Sequence, residues 1–285
     1  MTERSLNIVT MKNIITLLLL MVTTGTMAQS FNVVTYNIRL NTSSDGINAW
    51  PNRKEMVTAL LKFHEAAIFG LQEAKHEQIL DLEERMPHFG RLGSGRDDGQ
   101  TGGEYSPVFY DRGRFKLLES GQFWLSETPE FPSKGWDAAL PRIVTWGKFK
   151  VIGSSRKFFF FNAHFDHVGK VARANSSRLI LEKIAALNPS HLPVIVTGDF
   201  NLTPESEPIS LIMEKLRDSY VISASPPYGP VGTFNSFRRD HPLDQRIDYI
   251  FVNDKVKVEK YGVLTDGWDN RWPSDHQPVL VRIRL

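Results

Sequence analysis

The stretch Thr197-Gly198-Asp199-Phe200-Asn201 decides how the rest of this chain is interpreted. It follows Pro193-Val194-Ile195-Val196, an apolar and β-branched run that predicts a buried strand. Gly198 allows the backbone to turn, or to be approached closely, as that strand ends. Asp199 and Asn201 lie two residues apart, so in extended geometry their side chains point the same way. A carboxylate and an amide placed together at a strand end can orient a water molecule or a metal-bound phosphate, although an ordinary turn after a strand uses the same residues.

Several other predicted strands also end on polar residues, for which an apolar core has no use. These residues are Asn37, Glu73, His164 and Asp248, and Ser274-Asp275-His276 lies just before the last predicted strand. Strand ends that carry acids, amides and imidazoles are how a rigid scaffold presents a metal and phosphate site. Carboxylate and amide oxygens with few imidazoles, in a chain without cysteine, favour a hard cation such as Mg²⁺ over zinc.

The remaining pattern is rich in strands and contains few helices. Further strands are predicted at residues 104–110, 115–123, 143–151, 157–164, 245–252, 255–264 and 278–284, and helices at 51–63, 171–187 and 208–216. This pattern favours a pair of packed sheets covered by helices. No Pro/Ser-rich linker divides the chain, so a single domain is predicted over residues 29–285.

The N-terminal residues predict a signal peptide over residues 1–28. Lys12 precedes an apolar run at residues 14–22, and small residues follow up to a plausible cleavage site after Ala28. Met11 could be the true initiator, which would make residues 1–10 an upstream extension. The apolar run is too short to span a bilayer comfortably. We therefore expect a secreted or periplasmic protein without a transmembrane anchor.

Composition adds two limits. With 41% hydrophobic and 23% charged residues, the chain has the make-up of an ordinary soluble globular protein. Its formal net charge of +2 is a weak argument against a dedicated nucleic-acid clamp, since phosphate-backbone binding usually shows a strongly basic face. We expect a monomer without an obligate protein partner.

Taken in order, the motifs resemble those of the endonuclease/exonuclease/phosphatase superfamily, the proteins with the DNase I-like fold. The resemblance rests on Thr35-Tyr36-Asn37-Ile38, Leu71-Gln72-Glu73, Gly103-Glu104-Tyr105, Asn162-Ala163-His164-Phe165-Asp166, Thr197-Gly198-Asp199-Phe200-Asn201, Arg246-Ile247-Asp248-Tyr249-Ile250 and Ser274-Asp275-His276. It runs from residue 31 to the C-terminus. The resemblance implies an α/β fold, a four-layer sandwich of two central mixed sheets flanked by helices, with the site at one edge.

The resemblance also implies a metal site and a histidine pair. Glu73 would be the principal Mg²⁺ ligand, helped by Asn37 and Asp275, with Mn²⁺ as a possible substitute. His276 would pair with Asp248, and a carboxylate partner of this kind fixes the tautomer of an imidazole and raises its basicity.

The other motif residues would act on the phosphate and the water. Asp199 would orient or deprotonate the attacking water, and Asn201 would hold the phosphate or that water. His164 would stabilise the phosphate oxygens from the other side, with Glu104 as its orienting partner. Arg142 could add a second positive contact. Whether His276 or Asp199 is the base is left open.

The expected function is that of a secreted Mg²⁺-dependent phosphoesterase that acts by in-line attack of an activated water on a phosphate-ester substrate. The breadth of the family favours a phosphodiester, such as a nucleic acid or a phospholipid headgroup. The alternatives are a phosphomonoesterase of the inositol-phosphate phosphatase type and a catalytically lapsed module that only binds a phosphate ligand. A complete site argues against the lapsed module, because Glu73 and both imidazoles are present.

Loops should set the specificity, because the fold alone does not. The candidates are the loops at residues 94–103, 126–141, 165–172, 223–245 and 265–273. In one of them, Asp166 and His167 either line the pocket or form a turn. In another, Arg238, Arg239 and Arg246 suit either a phosphate-rich substrate or a solvated loop.

Overall fold

The computed structural model describes residues 30–285, and the predicted signal peptide lies outside them. The strands are β1 (Ser30–Asn37), β2 (Ala66–Gln72), β3 (Phe89–Leu92), β4 (Val108–Asp111), β5 (Phe115–Trp124), β6 (Ile143–Val151), β7 (Lys157–His164), β8 (Val194–Asp199), β9 (Arg217–Asp218), β10 (Asp248–Val252), β11 (Lys257–Val263) and β12 (Val279–Arg284). The α-helices are α1 (Lys54–Phe63), α2 (His76–Arg85), α3 (Lys170–Leu187), α4 (Glu207–Met213) and α5 (Ser219–Ile222). Among residues 30–285, no helix is both long enough and apolar enough to cross a membrane.

The strands form two six-stranded sheets, with the orders β11-β12-β1-β2-β4-β3 and β5-β6-β7-β8-β10-β9. Both are mixed, because β1 and β2 run parallel, as do β7 and β8, while the other neighbours are antiparallel. In a parallel pair the carboxyl ends of both strands lie at the same edge of the sheet. In the second sheet, Asp248 at the start of β10 pairs with Asp199 at the end of β8. Residues far apart in sequence are thereby brought to one edge.

The alternation of side chains along each strand builds three apolar layers. In the first sheet Val33 points toward the second sheet, whereas Val34 packs under α1 and α2. In the second sheet Phe160 points toward the first sheet, whereas Phe159 and Phe161 pack under α3 and α4. The chain is thus a four-layer α/β sandwich, with two mixed sheets inside and helices outside, and the predicted fold class is confirmed.

Some element boundaries differ from the prediction. The strand expected at residues 104–110 begins only at Val108, because Pro107 has no N–H to donate to a ladder. The strand expected from Gln245 begins at Asp248. The short edge strand β3 was not predicted, since Phe89–Leu92 carries too few residues to show a period of two.

A buried polar network joins the two sheets just below the site. Asn162 lies at its centre: its Oδ1 accepts from Gln72 Nε2 at 2.7 Å and from Thr197 Oγ1 at 2.9 Å. Gln72 Nε2 also donates to Thr35 Oγ1 at 3.1 Å. All four side chains are fully buried, and each lies one or two residues before a predicted site residue. The network therefore ties together the strand ends that carry the site.

We expect Gly70→Ala to be strongly destabilising, because the network leaves no room for a side chain at this position. A Cβ on Gly70 would lie 2.2 Å from Asn162 Oδ1 and 2.5 Å from Thr197 Oγ1. Overpacking and a broken buried hydrogen bond together cost about 2–5 kcal/mol. The control is Gly262→Ala in β11, where the nearest atoms would lie at 3.7 Å. Urea unfolding of both variants measures the difference, and equal stabilities would contradict the expectation.

Candidate active site

A cleft of about 500 Å³ opens at the edge where β1, β2, β7 and β8 end. Its polar lining consists of Arg39, Glu73, Glu104, Arg142, His164, His167, Asp199, Asn201, Gln245, Asp275 and His276. Its apolar lining consists of Leu40, Leu140, Phe234 and Ile247. The remaining two predicted site residues, Asn37 and Asp248, are buried beneath the cleft and hydrogen-bond to residues that line it.

Asn37 links two carboxylates of the site. Its Nδ2 donates to Glu73 Oε1 at 3.0 Å and to Asp199 Oδ2 at 2.9 Å. Its Oδ1 accepts from the backbone N–H of Arg39 at 3.0 Å. The second oxygen of Glu73 accepts from the backbone N–H of Leu40 at 3.2 Å. The amide of Asn37 therefore couples the predicted metal ligand Glu73 to the predicted water-orienting residue Asp199.

Glu73 and Asp275 form an acidic pair that suits a hard cation. Burial raises the pKa of Asp275, and although the positive charge of His276 opposes this, the negative charge of Glu73 adds to it. Arg39 lies beside both carboxylates, with Nη1 3.8 Å from Glu73 Oε2 and Nε 4.0 Å from Asp275 Oδ2. The guanidinium of Arg39 is hydrogen-bonded to Asp45, at 3.0 and 3.1 Å, rather than to this pair. Oxygen ligands without sulfur match the ligand preference of Mg²⁺. Asn37 fits less directly, because its Nδ2 faces Glu73 and its Oδ1 faces the backbone of Arg39.

A second group could also hold a metal by distance alone. One ligand atom each from Asp199, Asp248 and His276 lies within 4.8 Å of the others. Here, however, the imidazole already supplies the positive charge. Burial lowers the pKa of His276, but the carboxylates of Asp248 and Asp199 outweigh that effect and raise this pKa well above its ordinary value. An imidazolium flanked by two carboxylates leaves this group little net negative charge to attract a further cation.

His276 and Asp199 face each other in this group. Asp248 Oδ2 lies 2.8 Å from His276 Nδ1, and Asp199 Oδ2 lies 3.8 Å from His276 Nε2. Burial, reinforced by the charge of Asp248, raises the pKa of Asp199 to about 7. The loop that carries His276 is held in place because Ser274 Oγ donates to the carbonyl of Asn37 at 2.7 Å. The site thus combines a cationic donor with a carboxylate that titrates near neutral pH.

The predicted orienting partner of His164 is wrong. Arg142 Nη1 lies 3.0 Å from His164 Nδ1, whereas the nearest oxygen of Glu104 is 3.9 Å away. Both oxygens of Glu104 instead accept from Arg96, at 2.6 and 3.0 Å. Arg96 comes from the Gly-rich loop and carries no motif, so the sequence offered no sign that it would compete for Glu104. Arg142 is nevertheless at the site, as predicted from its place before a strand.

Asn201 reaches the site through a turn, so the expectation of extended geometry is also wrong. Strand β8 ends at Asp199, and Asn201 has a φ of 52°. Asp199 Oδ1 accepts from the backbone N–H of Asn201 at 2.9 Å, which closes a local turn of the kind Asp favours. Asn201 Nδ2 then donates to the carbonyl of Phe165 at 3.0 Å and lies 3.3 Å from His164 Nε2. Glu73 also has a positive φ, 63°, and strained backbone of this kind clusters at functional sites.

Asp166 and His167, which the sequence predicted either to line the pocket or to form a turn, have different roles. Asp166 is buried and accepts from four backbone N–H groups, those of Ala139, Leu140, Val168 and Gly169. It therefore organises the turn. His167 lines the cleft, and its Nδ1 lies 3.1 Å from Arg142 Nη2.

Arg246 is neither a phosphate contact nor part of a solvated loop. It is buried, forms an ion pair of 2.7 Å with Asp218, and lies over the rings of Tyr220 and Tyr249. Its place in the sequence motif reflects core packing behind the site.

The burial of His164 predicts a loss of stability in mild acid. Burial, reinforced by the charge of Arg142, lowers the pKa of His164 well below its ordinary value. The unfolded chain binds a proton at this residue near pH 6.5 and the folded protein does not, so the free energy of unfolding falls as the pH drops below about 6.5, by up to about 1.4 kcal/mol per pH unit. The raised pKa of His276 affects stability at higher pH instead, because above pH 6.5 the unfolded chain loses a proton that the folded protein keeps, so the free energy of unfolding falls as the pH rises. The difference in unfolding free energy between wild type and His164→Gln should therefore shrink from pH 7 to pH 5, and parallel pH profiles would contradict this.

The chain is similar to known proteins in both sequence and structure. Residues 34–276 match the model of the Endonuclease/Exonuclease/phosphatase family. A solved structure of a protein of that family from Bacteroides thetaiotaomicron is 41% identical, covers 90% of this chain and 98% of its own, and superposes with a TM-score of 0.87. The structure of a mannosyl-6-phosphatase from the same species is 40% identical, with coverages of 90% and 100% and a TM-score of 0.87. An uncharacterized protein of Acanthamoeba polyphaga mimivirus is 28% identical over 261 residues, which are 85% of this chain and 94% of that protein.

Proposed function

This chain belongs to the endonuclease/exonuclease/phosphatase family and hydrolyses phosphate ester bonds, and from that premise we propose that it is an exported, Mg²⁺-dependent phosphatase of a small phosphorylated sugar. The observation that carries the substrate class is the 40% identity to a mannosyl-6-phosphatase over the whole length of that chain. The sequence analysis favoured a phosphodiester substrate because the family has a broad range of activities. The similarity to this phosphatase leads us to propose a phosphomonoester instead.

The size of the cleft supports a small substrate. About 500 Å³ lies within the usual range of small-molecule sites. Leu140, Phe234 and Ile247 provide apolar walls of the kind on which the faces of a sugar ring can pack, and Gln245 and His167 add polar groups at the same cleft. A formal net charge of +2 on the whole chain also fits a small substrate better than a long polyanion.

Glu73 and Asp275 would hold the Mg²⁺. Family members generally use a divalent metal, and such an ion, when bound, stabilises negative charge on the phosphoryl oxygens and the leaving group. Asn37 holds Glu73 from behind through its Nδ2. The chain's own contribution is to fix the two carboxylates on strand ends that the buried network ties together.

Three donors surround the expected place of the phosphate. His276 is cationic and donates from Nε2, the side of the ring turned toward Asp199. His164 Nε2 and His276 Nε2 lie 3.6 and 3.8 Å from the same oxygen of Asp199, and Asn201 Nδ2 lies 3.3 Å from His164 Nε2. Donors arranged in advance around developing oxyanion charge are a large part of catalysis in acyl and phosphoryl transfer.

Asp199 is placed to orient the attacking water and to take its proton. Its Oδ2 lies 3.6 Å from His164 Nε2 and 3.8 Å from His276 Nε2, with Asn37 Nδ2 at 2.9 Å. A cationic His276 has no free lone pair, so it serves as a donor and leaves the base role to Asp199. We therefore propose Asp199 as the base, a role that the sequence left open between the two residues.

The test is a substrate panel in which released inorganic phosphate is measured for the monoesters, and the product of the first P–O cleavage (nitrophenol, nucleotide fragments or phosphocholine) is measured for the diesters. Mannose 6-phosphate, glucose 6-phosphate and inositol phosphates are compared with a nitrophenyl phosphodiester, RNA, plasmid DNA and sphingomyelin, each with Mg²⁺ and with EDTA. We expect the highest kcat/KM on a sugar monophosphate and none in EDTA. Faster cleavage of any diester than of every monoester would overturn the monoester assignment and restore the one favoured by the sequence.

Export is supported by the N-terminal residues alone. Lys12, the apolar run at residues 14–22 and the small residues up to Ala28 lead us to expect a mature protein that begins at Gln29. Intact mass of the protein recovered from the producing cell measures this. A mass that includes residues 11–28 would contradict the cleavage.

A further inference from the structure

We propose that Arg142 is a positioning residue that holds both His164 and His167 in the neutral tautomer with the proton on Nε2, so that both offer an N–H to the substrate at the cleft. The tautomers are a property of the resting protein. Only the use made of the two N–H groups rests on the proposed function.

The geometry of one guanidinium carries this inference. Arg142 is 4% exposed, and its Nη1 and Nη2 lie 3.0 Å from His164 Nδ1 and 3.1 Å from His167 Nδ1. A guanidinium has five N–H donors and no acceptor. Each Nδ1 must therefore accept a hydrogen bond. Since a neutral imidazole has one donor and one acceptor nitrogen, the proton of each ring is on Nε2.

The guanidinium is itself held in place, which makes the arrangement specific. Its Nε lies 3.5 Å from Asp166 Oδ2, and backbone N–H groups fix that carboxylate in turn. Among residues 30–285, Glu104 is the carboxylate that lies near enough to compete for His164 Nδ1. It is 3.9 Å away and bonded to Arg96 through both oxygens. Arg96 thus removes the competitor, and Arg142 sets the tautomer.

The Nδ1 atoms of the two imidazoles beside Asp199 therefore play opposite hydrogen-bonding roles. Asp248 accepts from His276 Nδ1, whereas His164 Nδ1 accepts from Arg142. His164 then has no lone pair on the cleft side and does not act as a base. Asn201 Nδ2, also a donor, lies 3.3 Å from His164 Nε2, but a neutral ring can accept at one nitrogen alone, and the shorter contact from the charged Arg142 places that acceptor at Nδ1. The Nε2–H then faces Asp199 Oδ2 at 3.6 Å in the resting protein, and together with the amide of Asn201 it is available to a phosphate oxygen. His167 adds a donor for a further oxygen, which suits the three terminal oxygens of a monoester.

The first experiment detects the tautomers directly. Long-range ¹H–¹⁵N NMR of the purified protein at pH 7.5 distinguishes an N–H nitrogen from an acceptor nitrogen in each imidazole. We expect an acceptor Nδ1 with a protonated Nε2 in His164 and His167, and a protonated Nδ1 in His276 as an internal control. Assignment comes from the His164→Gln and His167→Gln spectra. A protonated Nδ1 in His164 of the wild-type protein would overturn the proposal, whatever the variants do.

The second experiment removes the donors of Arg142. Arg142→Met should release both rings to mixed tautomers. Arg142→Lys keeps the charge but has no rigid fork, so it should retain at most one of the two. Tautomers unchanged in Arg142→Met would overturn the proposal. If Arg142→Met does not fold, the wild-type and Arg142→Lys spectra still decide.

Kinetics on the best substrate of the panel separate the inference from the proposed function. We expect kcat/KM to fall about 10–100-fold in Arg142→Met, as is usual when a partner that orients a site residue is removed, and less in Arg142→Lys. Mixed tautomers in Arg142→Met with unchanged kcat and KM would show that the orientation plays no part in turnover and would overturn the catalytic half of the proposal. If the tautomers are as expected but the protein hydrolyses no substrate of the panel, the tautomer assignment stands and the proposed function is rejected.

Discussion

Glu73→Gln is expected to lower kcat/KM for phosphate release on the order of 10³-fold. The substitution keeps the size of the side chain but removes one of the two carboxylate charges that would attract the Mg²⁺, and a dication bound through so few carboxylates depends on each of them. Several kcal/mol of transition-state stabilisation come from such an ion, and each 1.36 kcal/mol is tenfold in rate. Steady-state kinetics with titrated Mg²⁺, and calorimetry of Mg²⁺ binding, measure the two parts separately.

Glu77→Gln is the matched control for this variant. Glu77 is exposed, lies four residues further along the chain and does not line the cleft, so the same change of charge should leave activity and Mg²⁺ affinity unaltered. Addition of EDTA to the wild-type enzyme should reproduce the loss seen in Glu73→Gln. Full hydrolysis of the best substrate in excess EDTA would show that the metal assignment is wrong.

The second large effect concerns the pair of Asp248 and His276. His276→Ala should lower kcat/KM on the order of 10²–10⁴-fold, the range for a positioned acid–base or donor group. Asp248→Asn should cost less, because an imidazole without its anionic partner can still donate a hydrogen bond from Nε2. Since the two residues form one unit, joined by a hydrogen bond of 2.8 Å, the double variant should be hardly slower than His276→Ala alone.

The kcat/KM values of the two single variants and the double variant must be compared with the stability of each protein. Both side chains are buried, and removing one partner of a buried ion pair typically costs about 3–5 kcal/mol. Thermal melts therefore accompany the kinetics, and Asp244→Asn in the exposed loop before β10 serves as the control. Fully multiplicative losses in folded proteins would mean that Asp248 does not act through His276. An Asp248→Asn protein that unfolds at the assay temperature would mean that Asp248 is structural.

The sequence by itself determined the architecture and the main content of the site. Strand periodicity and the polar residues that end each strand are local signals, because a side chain at a strand end is placed by its own strand. Glu73, His164 and Asp199 were identified in this way, and His276 was identified from its place just before the last strand. All four line one cleft. The four-layer sandwich followed from the order of the same motifs, as the resemblance implied.

Only the tertiary structure decided which side chains pair with one another. The choice of Arg142 over Glu104 as the partner of His164 depends on Arg96, which lies in the Gly-rich loop that precedes Glu104 and donates to both of its carboxylate oxygens. Arg39 at the acidic pair was likewise unmarked in the sequence. Hydrogen-bond partners are chosen among groups that are distant in sequence and within about 3 Å in space, and no local pattern contains that distance.

The hydrogen-bond partners in the buried network around Asn162 were likewise not predictable from the sequence. Thr35, Gln72 and Thr197 read as ordinary polar residues within strands, since a strand pattern specifies which face a side chain occupies and not what lies opposite it. The contact between the sheets makes them partners of Asn162. Gly70 has to be a glycine because of the second sheet rather than because of its own strand. Local periodicity thus determined the elements, and the packing of the two sheets determined the contacts that join them into one site.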